Sequence, residues 1–345
     1  MEKSILNLKE LVENLEEDKR DLFKRFYEFY VEEGKFILPD KIKDWARKRF
    51  GECEKQKIVR ITNKFTYEST LFNELRAKRP IQAVSKEDIF NMIKETEGDF
   101  FCDPLNKTPS DVFGRIEGKY CITASNIAKY DYLHAVIVFK KHDPFYFDEE
   151  YIKDYLEVAW RWFLKANEYD KRAEYPFFMW NCLWKAGASI VHGHAQALIS
   201  QKPYGKQLFL TKVRDEYKKI YNSEYLQDLF KVHLTLGLGA EVNNKKLMFY
   251  LTPVKEKEVI ILSEDFIDTA DILSRILKLY YKLGVRSFNV GIFLPKLGKK
   301  DIILIRVVDR GDPMARTSDI GGMEIYSGTS VVASDPFKLA EIFKK

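Results

Sequence analysis

The stretch AGASIVHGHAQALIS, residues 186–200, sets His192, His194 and Gln196 at alternate positions among small and apolar residues. That spacing is the period of an extended chain, in which residues i, i+2 and i+4 leave by one face at about 3.3 Å rise per residue. A strand here lines up two imidazoles and an amide over roughly 13 Å, while Val191, Gly193, Ala195 and Ala197 turn to the opposite face. Small and apolar residues suit a face packed on a core, whereas polar groups without partners are costly to bury. The reading is therefore a strand whose polar line faces a cleft. The alternative is a half-exposed strand that happens to be rich in histidine, and the rest of the chain has to decide between them.

Composition narrows the class. A chain of 345 residues with 46% hydrophobic and 14% aromatic content can bury a sizeable core and has room for two domains, which argues against disorder. The 57 basic and 52 acidic residues are mixed throughout, so the net charge of +5 suits an anionic substrate and carries no signature of a nucleic-acid binder. No apolar run approaches the roughly 18 residues of a membrane span, and MEKSILNLKELVENLEEDK at the N-terminus lacks a signal-peptide core. A cytoplasmic enzyme is the expectation. Cys53, Cys102, Cys121 and Cys182 are scattered without a C-x-x-C pair, as reduced thiols are.

Outward from the histidine stretch, Leu8, Leu11, Val12, Leu15, Phe23, Phe26, Tyr27 and Tyr30 recur at three and four, which predicts an N-terminal helical extension over residues 1–55. Residues 58–75 are rich in Thr, Phe and Ile, as strands are, and lead into Arg76-Ala77-Lys78-Arg79-Pro80. An apolar strand over 135–139 ends in a basic turn at His142; a helix follows over 148–166, then an aromatic strand over 175–183. After Pro203 the order partly repeats, with a helix over 208–230, strands near Leu234 and over 247–252, a helix over 268–283, and strands over 287–293 and 301–308. This predicts two similar α+β halves, 56–205 and 206–345. The second half has no histidine beyond His233, so each chain carries one such histidine strand, and His233 and His134 read as structural.

The segment G-A-S-I-V-H-G-H-A-Q, with Asn181 eleven residues before His192, resembles the histidine triad superfamily in its galactose-1-phosphate uridylyltransferase branch, whose motif is H-x-H-x-Q after a Gly-x-Ser turn. The family usually has proline where Gly193 stands. The resemblance covers residues 56 to 345 and implies an α+β fold of two histidine-triad-like halves, antiparallel sheets with packed helices, and a homodimer. It implies that His194 attacks the α-phosphate of a nucleotide donor, that Gln196 and Ser189 hold nonbridging oxygens, and that His192 orients the strand. An amide at Gln196 hydrogen-bonds without titrating, whereas a third histidine could take part in proton transfer, so transfer is expected over hydrolysis.

By the same resemblance Arg76 and Arg79 face the nucleotide diphosphate, to which guanidinium is suited by paired donors and permanent charge. Asn181 belongs to the same motif, and Asn126 would reach the nucleoside, although the acid that follows it in the family is Ile127 here. The segment Ile320-Gly321-Gly322-Met323-Glu324, with Met323 in place of an aromatic residue, resembles the one that holds the sugar phosphate through a glutamate. Where many members carry a zinc-binding C-x-x-C, this chain has Asp99 and Cys102, which leaves Asp99, Cys102, His142 and His192 as a ligand set for zinc. The partners implied are a nucleotide sugar and a hexose 1-phosphate, with no nucleic acid, no membrane and no organic cofactor. ADP-glucose phosphorylase and diadenosine tetraphosphate phosphorylase share the motif and stay open, as does a non-catalytic protein that binds nucleotide sugars.

Overall fold

The computed structural model describes residues 3–80 and 88–345, whose thirteen strands form two sheets. In chain order the strands are β1 (Tyr27–Lys35), β2 (Lys55–Asn63), β3 (Ser69–Phe72), β4 (Cys121–Ser125), β5 (His134–Phe139), β6 (Tyr175–Cys182), β7 (His194–Ser200), β8 (Gly239–Val242), β9 (Lys245–Phe249), β10 (Glu256–Ser263), β11 (Phe288–Phe293), β12 (Ile303–Asp309) and β13 (Thr329–Val332). Nine of them make one sheet in the order β4-β5-β7-β6-β11-β12-β10-β9-β8, every neighbouring pair antiparallel. The class is thus α+β with antiparallel pairing, as expected. The strands on either side of residue 205 meet where Asn181 pairs with Asn289 and Met179 with Gly291, so neither β6 nor β11 is left with an open edge.

One face of this sheet is a dry core. Ala195, Ala197 and Ile199 of β7 and Phe178 and Trp180 of β6 pack with Trp162 and Phe163 of the Glu149–Tyr169 helix and Ile276 and Leu277 of the Ala270–Lys282 helix. The first helix forms because Ile152, Leu156, Ala159, Phe163 and Ala166 recur at helical spacing, and Glu149 and Glu150 sit in its first turn, where the helix dipole favours negative charge. Register then fixes the opposite face. Val138 pairs with His194, Val136 with Gln196, and Gln196 with Met179, so these side chains share that second face.

The second sheet, β1-β2-β3-β13, corrects the expectation of an all-helical N-terminal region. Tyr27–Lys35 is a strand paired antiparallel with β2, from Tyr27–Asn63 to Lys35–Lys55. Tyr27, Phe29 and Val31 alternate with exposed Glu28, Tyr30 and Glu32, and this period of two, in aromatic and β-branched residues, wins over the helical spacing also present. The segment is no appendage. Ile5, Leu8, Val12, Phe23 and Phe26 join the main core, and the Asp335 carboxylate accepts from Ser4 Oγ at 2.7 Å and from the Ile5 N–H at 3.1 Å. The helix expected over 208–230 is two, Gly205–Tyr221 and Tyr225–Leu236, separated at Asn222, which adopts a left-handed conformation. Leu234 accordingly lies in a helix and not in a strand.

Candidate active site

β7 begins at His194, and His192 and Gly193 lie in the approach to it, so the polar line is shorter than the alternation suggested. Gly193 is required by packing. A Cβ there would sit 2.7 Å from Phe139 Cδ2 and 3.1 Å from Pro144 Cα, and the Gly193 N–H donates to the His142 carbonyl at 3.1 Å, a bond proline could not make. His192, His194 and Gln196 are 1%, 7% and 5% exposed, deeper than a strand facing an open cleft would leave them.

Hydrogen bonds offset that burial. His192 donates through Nε2 to the Phe139 carbonyl at 2.7 Å, and His194 donates through Nδ1 to the His192 carbonyl at 2.8 Å. A carbonyl only accepts, so the proton of His194 is on Nδ1 and its Nε2 carries a lone pair. That Nε2 has no hydrogen-bond partner among the described residues. Burial holds the His194 imidazole below its ordinary pKa, which keeps it neutral and nucleophilic at neutral pH. Phe101 packs edge-on to both rings, with centroids 5.8 Å from His192 and 5.3 Å from His194.

Gln196 is oriented from the side by His134, a residue the sequence reading took as structural. The Tyr130 N–H donates to His134 Nδ1 at 3.0 Å, which places the His134 proton on Nε2, 2.7 Å from Gln196 Oε1. With its oxygen engaged, Gln196 keeps its NH2 group for another acceptor. Asn126 lies beside the same ring, its Nδ2 3.4 Å from His134 Nε2, and its own Oδ1 accepts from the Ala128 N–H at 2.9 Å.

Asp99, Cys102, His142 and His192 come together, with one donor atom of each within 4.8 Å of all the others. His142 Nδ1 stands 3.1 Å from His192 Nδ1, Cys102 Sγ lies 3.4 and 3.5 Å from these two nitrogens, and Asp99 Oδ1 is 3.2 Å from His192 Nδ1. The two sulfur–nitrogen separations fall within the roughly 3.3–3.8 Å edges of a tetrahedron with bonds of about 2.0–2.3 Å, and the other two lie about 0.1–0.2 Å below them. The outer nitrogens agree. His142 Nε2 lies 2.8 Å from the Ile93 carbonyl and His192 Nε2 2.7 Å from the Phe139 carbonyl, so both rings are protonated on Nε2. Two Nδ1 lone pairs facing each other at 3.1 Å repel unless a cation lies between them, and the donor set suits zinc.

Of the remaining predicted residues, Asn181 lies on the Gln196 face of the sheet by register. Asn181 Oδ1 accepts from Asn289 Nδ2 at 2.7 Å; Asn289 also donates to the Ala186 carbonyl at 2.9 Å and accepts from Arg310 Nη1 at 2.5 Å, while Arg310 is paired with Asp319. Glu324 accepts from the Gly321 N–H at 2.9 Å and from Lys255 Nζ at 3.3 Å. A cavity of about 490 Å³ lies here, lined by Asn289, Lys206, Lys255, Arg310 and Glu324 among others. Ser189 is exposed in the loop before His192, and Arg76 and Arg79 are exposed at and just after the Glu74–Lys78 turn, next to residues 81–87, which lie outside the described residues. Asn289, Arg310 and Lys255 were missed by sequence reasoning. Asn289 alone had a signal, as a polar residue on an otherwise apolar strand.

Fold and site together define an α+β protein whose nine-stranded antiparallel sheet carries the His194 site. No family model and no curated protein matches the sequence. Among solved structures, the chain is similar to an ADP-glucose phosphorylase from Arabidopsis thaliana with bound ADP-glucose, at TM-score 0.63 and 16% identity over 81% of this chain and 96% of that one. It is similar also to a galt-like protein from Arabidopsis thaliana, at 0.58 and 16% over 72% and 92%, and to a uridylyltransferase, at 0.58 and 14% over 83% and 97%. At identities this low, the likeness shows a shared fold and nothing more.

Proposed function

We propose that the protein is a nucleotidyltransferase that works through a covalent nucleotidyl-histidine on His194. The observation that carries the reading is the neutral, Nδ1-protonated His194 with an uncommitted Nε2, held on a rigid strand beside the oriented amide of Gln196. The nitrogen lone pair attacks the α-phosphorus of a nucleotide sugar, a phosphorus–nitrogen bond forms, and the bond to the leaving sugar phosphate breaks. An acceptor then reverses the step: a phosphate oxygen attacks phosphorus and the imidazole leaves. The Gln196 NH2 offers a fixed donor to the nonbridging oxygens as charge builds on them.

The acceptor is a hexose 1-phosphate in the first reading. Inorganic phosphate, which would make the protein a phosphorylase, is favoured by the likeness to a phosphorylase structure with ADP-glucose bound. Lys206, Lys255 and Arg310 line the neighbouring cavity and suit either anion. Zinc held by Asp99, Cys102, His142 and His192 would supply no reacting group. It would fix the approach to β7, since the His192 carbonyl is what sets the tautomer of His194.

The test is exchange. UDP-glucose and ADP-glucose are each incubated with galactose 1-phosphate or with inorganic phosphate, and transfer of the nucleotidyl group to one acceptor is expected. Binding of both nucleotide sugars without transfer to either acceptor would make the protein a non-catalytic binder.

A further inference from the structure

The ladder between β6 and β7 stops short of the strands it joins. Paired residues run from Tyr175–Ser200 to Met179–Gln196, yet β6 continues to Cys182 and β7 begins before Gln196, at His194. The same register carried on sets Asn181 across from His194, and on its other side Asn181 is paired with Asn289. His194, Asn181 and Asn289 therefore form one row on the polar face of the sheet, at about 4.8 Å per strand, with a gap in the ladder between the first two.

Donor and acceptor roles along this row are fixed from its far end. Asp319 clasps Arg310, which donates from Nε to Oδ2 at 2.5 Å and from Nη2 to Oδ1 at 3.0 Å. Arg310 Nη1 lies 2.5 Å from Asn289, and a guanidinium only donates, so the Asn289 atom there is Oδ1. The Ala186 carbonyl only accepts, and it faces Asn289 Nδ2 at 2.9 Å, which requires the same orientation. That NH2 group also donates to Asn181 at 2.7 Å, so Asn181 meets it with Oδ1. Asn181 Nδ2 is thereby turned from β11 toward the gap, and it has no hydrogen-bond partner among the described residues.

Gln196 is arranged alike, with Oε1 held by His134 and its NH2 left over. Two amides thus border His194, one along its strand and one across the gap, each with its oxygen tied back. The tie matters because the two ends of an amide have nearly the same shape and opposite polarity. An untied asparagine can offer oxygen, which repels a phosphate oxygen, in place of the NH2 that binds it.

We propose that Asn289, oriented by Arg310 and Asp319, is a positioning residue for the reaction at His194: it acts through Asn181, turning the Asn181 NH2 toward the phosphate that His194 attacks. This role rests on the nucleotidyl-histidine reading above.

The test is a double-mutant cycle, read by quenched-flow labelling of His194 at saturating nucleotidyl-labelled UDP-glucose and ADP-glucose. In Asn289→Asp the carboxylate still accepts from Arg310 but cannot donate, so Asn181 turns its NH2 to the carboxylate and presents Oδ1 to the phosphate. Labelling is expected to slow by roughly 10²-fold, as for loss of one oxyanion donor, and Asn181→Ala to slow it as much. Asn181→Ala/Asn289→Asp is expected to stay within about threefold of Asn181→Ala, since no amide is left to misdirect. A loss caused by the added charge, or by the released Ala186 carbonyl, persists without Asn181. An equal further loss in the Asn181→Ala background therefore overturns the role, as does an Asn289→Asp rate within about threefold of the parent protein; both results leave His194 as the nucleophile. Absence of label from the parent protein, measured first, overturns the His194 reading and this role with it. If Asn289→Asp does not fold, Asn289→Leu enters the same cycle. It frees Asn181 to turn either way, and a loss of about tenfold is expected, again absent in the Asn181→Ala background.

Discussion

The Nδ1–H of His194 is committed to the carbonyl of His192, and that single bond decides what the other ring nitrogen can do. Gln196 is held as firmly, by the chain Tyr130 N–H to His134 to Gln196 Oε1. The alternation of His192, His194 and Gln196 was plain in the sequence. The role of His134 was not, because a lone histidine at the start of an apolar strand looks like packing until the partner strand is set beside it in register. Gln196→Ala should leave His194 able to accept the nucleotidyl group while lowering kcat by roughly 10²–10³, as loss of one oxyanion donor does. Stopped-flow or quench measurement of nucleotidyl transfer checks this, and a rate equal to that of the parent protein would remove Gln196 from the mechanism.

At the scale of elements, the approach to β7 is built from parts far apart in sequence. Asp99 and Cys102 come from a 3-10 turn, His142 from the loop after β5, and His192 from the loop before β7. Motif resemblance could place these four together; the protonation of both outer nitrogens, which turns the inner ones toward a common point, needed the Ile93 and Phe139 carbonyls and so the fold. One zinc per chain is expected by elemental analysis of the purified protein. Cys102→Ser, and separately chelation of the parent protein, should lower both zinc content and Tm, since a structural site contributes its binding free energy to folding. Full metal stoichiometry in Asp99→Ala/Cys102→Ser would contradict the ligand set. The N-terminal strand β1 shows the converse limit: its residues satisfy both a period of two and a spacing of three and four, and only pairing with β2 chooses between them.

For the whole molecule, the α+β class was legible because helical and strand periods are long and clear around the core, in the Glu149–Tyr169 helix and in β11 and β12. The joining of nine strands into one sheet was not, since the β6–β11 contact is set by edges that periodicity does not report. The burial of this core also sets its response to acid. His233 is fully buried, donates to the Leu229 carbonyl at 2.8 Å, and has its pKa pushed down to about 4 by burial. Its folded pKa lies below the ordinary value of 6.5, so the unfolded chain takes up the proton first and stability present above pH 6.5 is lost as pH falls toward 4. The loss is roughly 3 kcal/mol from this residue. Urea unfolding across that range should show it, and His233→Leu should flatten the slope; an unchanged slope in a folded variant would place the acid sensitivity elsewhere. The account rests above all on His194. Incubation with nucleotidyl-labelled UDP-glucose and ADP-glucose, in the absence of acceptor, should leave an acid-labile, base-stable adduct on the parent protein and none on His194→Ala. Label retained by His194→Ala, or transfer by that variant at the rate of the parent protein, would contradict the account.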